Sequence, residues 1–368
     1  MDHKKIRAVG AAVLVALWVL LTAFAWFGPR TEISESERRP LDQMPELSGK
    51  TLLDGTFMGK FEDFSLDQFP LRDTFRRIKS LWHYNVMRYA DNNDIYVADG
   101  YAAKLEYPYR PESITYAAQR FQSLYEMYLR RSTGRIFMTV APDKGYYLAE
   151  ENGYLTMDYQ AMFADLQKAL PWATYVDLTD TLDQADYYTT DTHWRQEALL
   201  EASQKLCQAM GVGAFSREEL TQKTLERPFY GVYYGQAALP MDPEQMHYLT
   251  GEILEQCKVY DYETGGYAQV YDMTKLESKD LYDVFLSGSK SLLTIENPNA
   301  ATDKELIVFR DSFGSSMVPL LVKDYAKVTL VDLRYIHMSM LKNFIQFKGQ
   351  DVLLLYSTLV LNNSSTIK

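Results

Sequence analysis

The sequence predicts an α/β fold, a mostly parallel sheet with helices on both faces. Two observations predict it: short runs of apolar β-formers alternate with runs at helical spacing, and the alternation resumes after an interruption at residues 213–300. With 368 residues, 47% of them hydrophobic, the chain can bury one large core or two ordinary ones, which excludes a disordered protein.

The N-terminus comes first. Lys4, Lys5 and Arg7 precede an uncharged stretch, residues 8–27, which as a helix at about 1.5 Å per residue reaches roughly 30 Å, the thickness of a hydrocarbon core. Positive charge on the leading side predicts a cytoplasmic tail (1–7), a single-pass signal anchor (8–27) and an extracytoplasmic body. Ala23-Phe24-Ala25 also fits a signal-peptidase site, although the bulky Trp26 would follow the cut, so an uncleaved anchor in the cell membrane is expected. Residues 28–66 mix Pro, Gly and charge without periodicity and read as a linker. The folded body is expected over 67–368.

Within the body, Leu71, Phe75, Ile78, Leu81, Trp82 and Met87 mark an amphipathic helix, and Asp99-Gly100 a hairpin turn. A helix follows from Pro111 to about Gly134. Then come strand 135–141, helix 159–170, strand 173–178 and helix 194–211. Residues 213–300, rich in Tyr and punctuated by Gly, read as a β-rich insertion. Strand 305–310, helix 314–326, strand 327–333, helix 338–347 and strand 351–356 complete a five-stranded core.

Net charge of −11 without a basic stripe argues against nucleic acid as a partner. Five histidines include no i,i+4 pair and no Cys/His ligand spacing, so neither a metal site nor a cofactor is expected. Cys207 and Cys257 are either one disulfide or two free thiols; a single pair sets no framework.

Sites in open α/β sheets collect beyond the carboxyl ends of strands. Ser312 stands there, on a turn between an apolar strand and a helical run, where free helix N–H groups would suit an oxyanion. A hydroxyl needs a base to act as a nucleophile. Asp191 and His193, just before another helical run, supply one: a carboxylate two residues away fixes the imidazole tautomer that can take a proton from serine. Both motifs have a plain structural reading, with Asp311 and Ser312, or Thr190, Asp191 and Thr192, serving as helix caps. Arg310 at the last position of a strand, and Arg334 and Lys144 beyond strand ends, are candidates to line the cleft, and the backbone N–H of Ser312 is the first candidate oxyanion donor. Among 28 tyrosines, Tyr230, Tyr233 and Tyr234 are candidate sugar contacts, because aromatic faces stack on sugar rings.

Residues 190–194, "TDTHW", and 310–314, "RDSFG", together resemble the DHHW protein family and the alginate O-acetyltransferase proteins of the AlgX and AlgJ type. "SESERRPL", "GTFMGKFEDFSLDQFPLRD" and "VAPDKGYYL" extend the likeness upstream. The resemblance implies an SGNH-hydrolase-like domain, in the permuted order where Asp and His precede Ser. It implies Ser312 as nucleophile, His193 as general base and then acid, and Asp191 as its orienting carboxylate, with Thr192 where the family name has a second His. It further implies an acyl group handed over by a membrane-bound O-acyltransferase and passed through an acyl-serine to a cell-surface or secreted polysaccharide. A carbohydrate esterase with the same triad and a non-catalytic glycan-binding or assembly protein are the alternatives.

Overall fold

The computed structural model describes residues 3–34, 36–131, 134–239 and 241–368, which form two compact units. One comprises the chain up to Asn93 together with Tyr234–Met241; the other comprises Asp94–Tyr233 and Asp242–Lys368.

The first unit is helical. Helix α1 (His3–Phe27) is long and apolar enough to cross a membrane. The segment read as a linker instead carries α2 (Gly49–Leu53) and α3 (Thr56–Asp67). A capping box starts α2: the Ser48 hydroxyl accepts from the Thr51 N–H at 3.2 Å, and the Thr51 hydroxyl accepts from the Ser48 N–H at 3.1 Å. Asp67 gathers the unit. Its carboxylate accepts both guanidinium nitrogens of Arg39, at 2.8 and 2.7 Å, and the Asp42 N–H at 2.8 Å. The amphipathic pattern from Leu71 forms α4 (Arg72–Leu81), continued by a π-helical turn through Met87.

The second unit is built on one sheet of eight strands. They are β1 (Ile136–Ala141), β2 (Thr174–Tyr175), β3 (Lys258–Asp261), β4 (Gly266–Ala268), β5 (Leu292–Glu296), β6 (Glu305–Arg310), β7 (Lys327–Val331) and β8 (Asp351–Ser357). Their order is β4-β3-β5-β7-β6-β8-β1-β2. From β7 to β2 every pairing is parallel, and Val308 sits opposite Leu330 on one side and Leu353 on the other. Strands β5, β3 and β4 add antiparallel pairs at the β7 edge. The expected count of five is therefore corrected to eight, with three short strands coming from the stretch read as an insertion. Non-local pairing decides this: nothing in residues 258–296 themselves says which edge they join. The remainder includes a separate hairpin, Thr221–Phe229 with Glu244–Thr250.

Alternating side chains divide the core in two. Leu306, Val308, Leu353 and Leu355 pack on one face with Leu206 and Met210 of the helix Leu200–Met210. Ile307, Phe309, Val352 and Leu354 pack on the other with Phe121 and Leu166, from helices Pro111–Leu124 and Tyr159–Ala169. The Asp99-Gly100 hairpin forms as expected, with both turn residues at positive φ, 49° and 82°.

Three helices are shorter than their patterns. After Ser312 the α-helix covers only Gly314–Met317, followed by a 3₁₀ turn Val318–Leu321, because Pro319 brings no N–H and crowds the preceding turn. Residues 338–343 are 3₁₀ rather than α, and the helix expected from 194 begins as a 3₁₀ turn at Gln196–Ala198.

Candidate functional site

Strand β6 ends at Arg310, and the next three residues turn. Asp311, fully buried, shapes the turn: one carboxylate oxygen accepts the Phe313 N–H at 3.0 Å, the other the Ser357 N–H at the end of β8 at 2.7 Å. Neither Asp311 nor Ser312 caps the helix, which was one reading of both residues: its N-cap is Phe313, no side chain bonds there, and Asp311 closes the turn instead. Ser312 is left partly exposed, with its hydroxyl directed elsewhere.

The hydroxyl meets His193. Ser312 Oγ lies 2.8 Å from Nε2 of His193, and Nδ1 lies 2.7 Å from Oδ1 of Asp191. Oδ1 also accepts the His193 N–H at 3.0 Å, and Oδ2 accepts the Val232 N–H at 2.8 Å. A carboxylate offers acceptors only, so Nδ1 carries the proton and donates it to Asp191. Nε2 then remains an acceptor facing the serine O–H. Such an array can hold a hydroxyl ready to lose its proton as its oxygen attacks a carbonyl.

The loop carrying Asp191 is held from several sides. Gly231 approaches so closely that an added Cβ would lie 2.2 Å from the Thr190 carbonyl carbon. The Gly231 N–H donates to Thr190 Oγ1 at 2.9 Å, and the Tyr233 N–H to the Thr190 carbonyl at 3.0 Å. Trp194 and Gln196 reach across to the serine turn. The indole N–H donates to Ser316 Oγ at 2.9 Å and the Phe313 carbonyl at 3.1 Å, and the Gln196 amide donates to the Ser316 carbonyl at 2.9 Å. Tyr282 stacks on the His193 ring, centroids 3.9 Å apart and planes 7° from parallel, while its hydroxyl donates to Ser316 Oγ at 2.7 Å. Sequence reasoning missed Tyr282, Gly231 and Val232. No local pattern marks them; all three lie in the stretch read as an insertion.

The other candidates separate. Lys144 does not line a solvated cleft: it is 2% exposed, and its amine donates to the carbonyls of Ala102 (2.6 Å), Tyr188 (2.5 Å) and Thr189 (3.3 Å). Burial pushes that amine down to about 7, against the opposing pull of Asp191, Glu244 and Asp143. Arg310 is 1% exposed rather than at a rim, donating from Nη1 to Ser315 Oγ at 3.0 Å, and burial lowers its pKa. Arg334 chelates Asp332 at 2.9 and 2.7 Å. Tyr233 is buried, Tyr230 exposed; Tyr234 lies in the other unit, where its hydroxyl accepts from Arg77 at 2.8 Å. The helix after Ser312 is a single turn, so it brings little dipole to an oxyanion. Cys207 and Cys257 are free and buried, and burial pushes both thiols up to about 12.

Asp191, His193 and Ser312 fall inside one family-matched segment. Residues 158–331 match the DHHW protein family model. Solved structures also resemble the chain. A DHHW family protein from Eubacterium siraeum is 20% identical, with TM-score 0.58 over 75% of this chain and 95% of that one. Bacillus cereus PatB1, in a structure bearing a sulfonyl adduct, is 17% identical, with TM-score 0.57 over 73% of this chain and 97% of that one. The O-acetyltransferase domain of Pseudomonas putida AlgJ is also matched, at 13% identity and TM-score 0.44, over 73% of this chain and 92% of that one. No curated sequence matches the chain.

Proposed function

We propose that the second unit is a serine-dependent O-acyltransferase, acetyl being the simplest group, that modifies a cell-surface or secreted polysaccharide. The observation that carries this reading is the continuous relay from Asp191 through His193 to Ser312, at 2.7 and 2.8 Å. In the first half-reaction Ser312 Oγ attacks the acyl carbonyl while its proton moves to Nε2. The bond from the acyl carbon to its donor breaks, and the departing group takes that proton. In the second, a sugar hydroxyl gives its proton to Nε2 and attacks the acyl-serine. The ester forms on the sugar, and Ser312 regains its proton as its own acyl bond breaks.

Asp191 stabilises the imidazolium formed in each half, and the Ser312 N–H is the donor we assign to the oxyanion. Tyr282 and Phe313 flank the imidazole and fix its plane against the serine turn. The acyl donor system is a membrane-bound O-acyltransferase, and Tyr230 is the sugar-contact candidate that remains exposed in this unit. With α1 as a single-pass anchor and the N-terminus cytoplasmic, the serine would work outside the cytoplasm.

A sulfonyl fluoride tests the nucleophile directly, and the sulfonyl adduct in the PatB1 structure makes it a natural probe. The expected result is one sulfonyl group on the peptide containing Ser312, absent from Ser312→Ala, with acetyl-ester turnover lost in step. Equal turnover by Ser312→Ala would remove the proposal.

A further inference from the structure

Helix α4 faces the wrong way for a surface helix. Its apolar stripe, Leu71, Phe75, Ile78, Trp82 and Val86, is 69, 46, 55, 55 and 56% exposed. The opposite side is turned inward: Ser80 is fully buried, and Arg72 pairs with Glu37 and with Asp67 at 3.2 Å. Arg76 pairs with Glu37 at 3.3 Å and donates to the Gly235 carbonyl at 2.6 Å. An amphipathic helix ordinarily buries its apolar side and leaves its charges in water. Here Arg72 and Arg76 hold the helix to its own unit and the apolar stripe is presented outward, as a patch that calls for a covering phase.

The neighbourhood says what covers it. Phe69, which leads into α4, lies 6.3 Å by ring centroids from Trp18 of α1 and 5.6 Å from Phe75 of α4. Trp18 stands about 13 Å of helix rise before the end of α1 at Phe27. That end carries the groups that favour a bilayer interface. Arg30 donates to the Ala25 carbonyl at 2.9 Å, and the Trp26 indole N–H donates to Ser65 Oγ at 3.1 Å. A chain of aromatic contacts therefore runs from the interior of the candidate span to the exposed stripe without a polar break.

We propose that α4 and its continuation through Met87 form a second, interfacial membrane anchor. The stripe inserts among lipid acyl chains on the face of the bilayer where the C-terminal end of α1 emerges, and Arg72 and Arg76 bind the helix to the rest of its own unit. The occupant is lipid. The inference stands on α1 crossing a bilayer and is independent of the chemistry at Ser312.

The full chain, reconstituted into phosphatidylcholine vesicles with and without dibrominated acyl chains, tests it. Trp82 is read as the difference between wild type and Trp82→Phe, and Trp18 as the difference between wild type and Trp18→Phe. Most of Trp82's emission is expected to be lost to the brominated lipid, with little loss to aqueous iodide. A second position, Ile78→Trp in the Trp82→Phe background, should behave alike. Loss of Trp82 emission to iodide and not to bromolipid, while Trp18 is quenched by bromolipid, overturns the proposal and leaves the span intact. Quenching of Trp82 by neither reagent also overturns it, since a second copy of the chain would then cover the stripe.

Discussion

Asp191→Asn probes the relay with the least change of shape. The native carboxylate receives three donors: the His193 N–H at 3.0 Å, His193 Nδ1 at 2.7 Å and the Val232 N–H at 2.8 Å. An asparagine has one acceptor oxygen and one NH₂, so either orientation sets a donor against a donor. With the oxygen toward His193, the NH₂ faces the Val232 N–H, and the lost contact costs about 1–3 kcal/mol of stability. With the NH₂ toward His193, the imidazole must accept at Nδ1 and protonate Nε2, which then can no longer take the Ser312 proton. That tautomer switch lowers turnover by roughly 10⁴ in a related serine triad. The assay pairs acetyl-ester turnover with denaturant unfolding of the detergent-solubilised chain. We expect turnover to fall by about 10³-fold or more, or stability to fall by ~1–3 kcal/mol with turnover partly kept. Wild-type values in both measurements would refute the acceptor-only role of Asp191.

Gly231→Ala would drive a methyl into the Thr190 backbone, displacing the Asp191 loop; turnover should fall by about 10-fold or more, beyond any change in unfolding midpoint. Unchanged turnover would show that the close approach is not needed. For Lys144, the folded pKa lies at about 7, below the usual value of 10.5. Between these limits the unfolded chain binds more protons than the folded one, so this group makes stability rise with pH, by about 1.4 kcal/mol per unit at most. Below about 7 its contribution is flat. Lys144→Met should remove that slope, and equal slopes between pH 7.5 and 10 in the two proteins, measured by denaturant titration, would contradict the assignment.

How far the site could be read from sequence follows from how local each signal is. Asp191 and His193 are two residues apart on one turn, and Ser312 follows a run of apolar β-formers, so residue type and position sufficed to single them out. Tyr282, Gly231 and Val232 act only by arriving from elsewhere in the chain. Lys144 follows a strand end and Arg310 closes one, yet whether such a side chain lies in water or in the interior depends on what packs over it. The carbonyls of Ala102, Tyr188 and Thr189 come from two separate segments and take up the Lys144 amine.

The same division runs through the fold. Sequence by itself determined the apolar N-terminal helix, the five strands that pair in parallel, and the turn positions, because hydrophobic period and turn chemistry are properties of short stretches. Tertiary structure alone decided that β5, β3 and β4 extend the sheet, that the supposed linker folds around Asp67, and that α4 turns Arg72 and Arg76 inward. Each of these depends on which distant partner a segment meets, and a stretch of chain carries its own periodicity but not the identity of its neighbour.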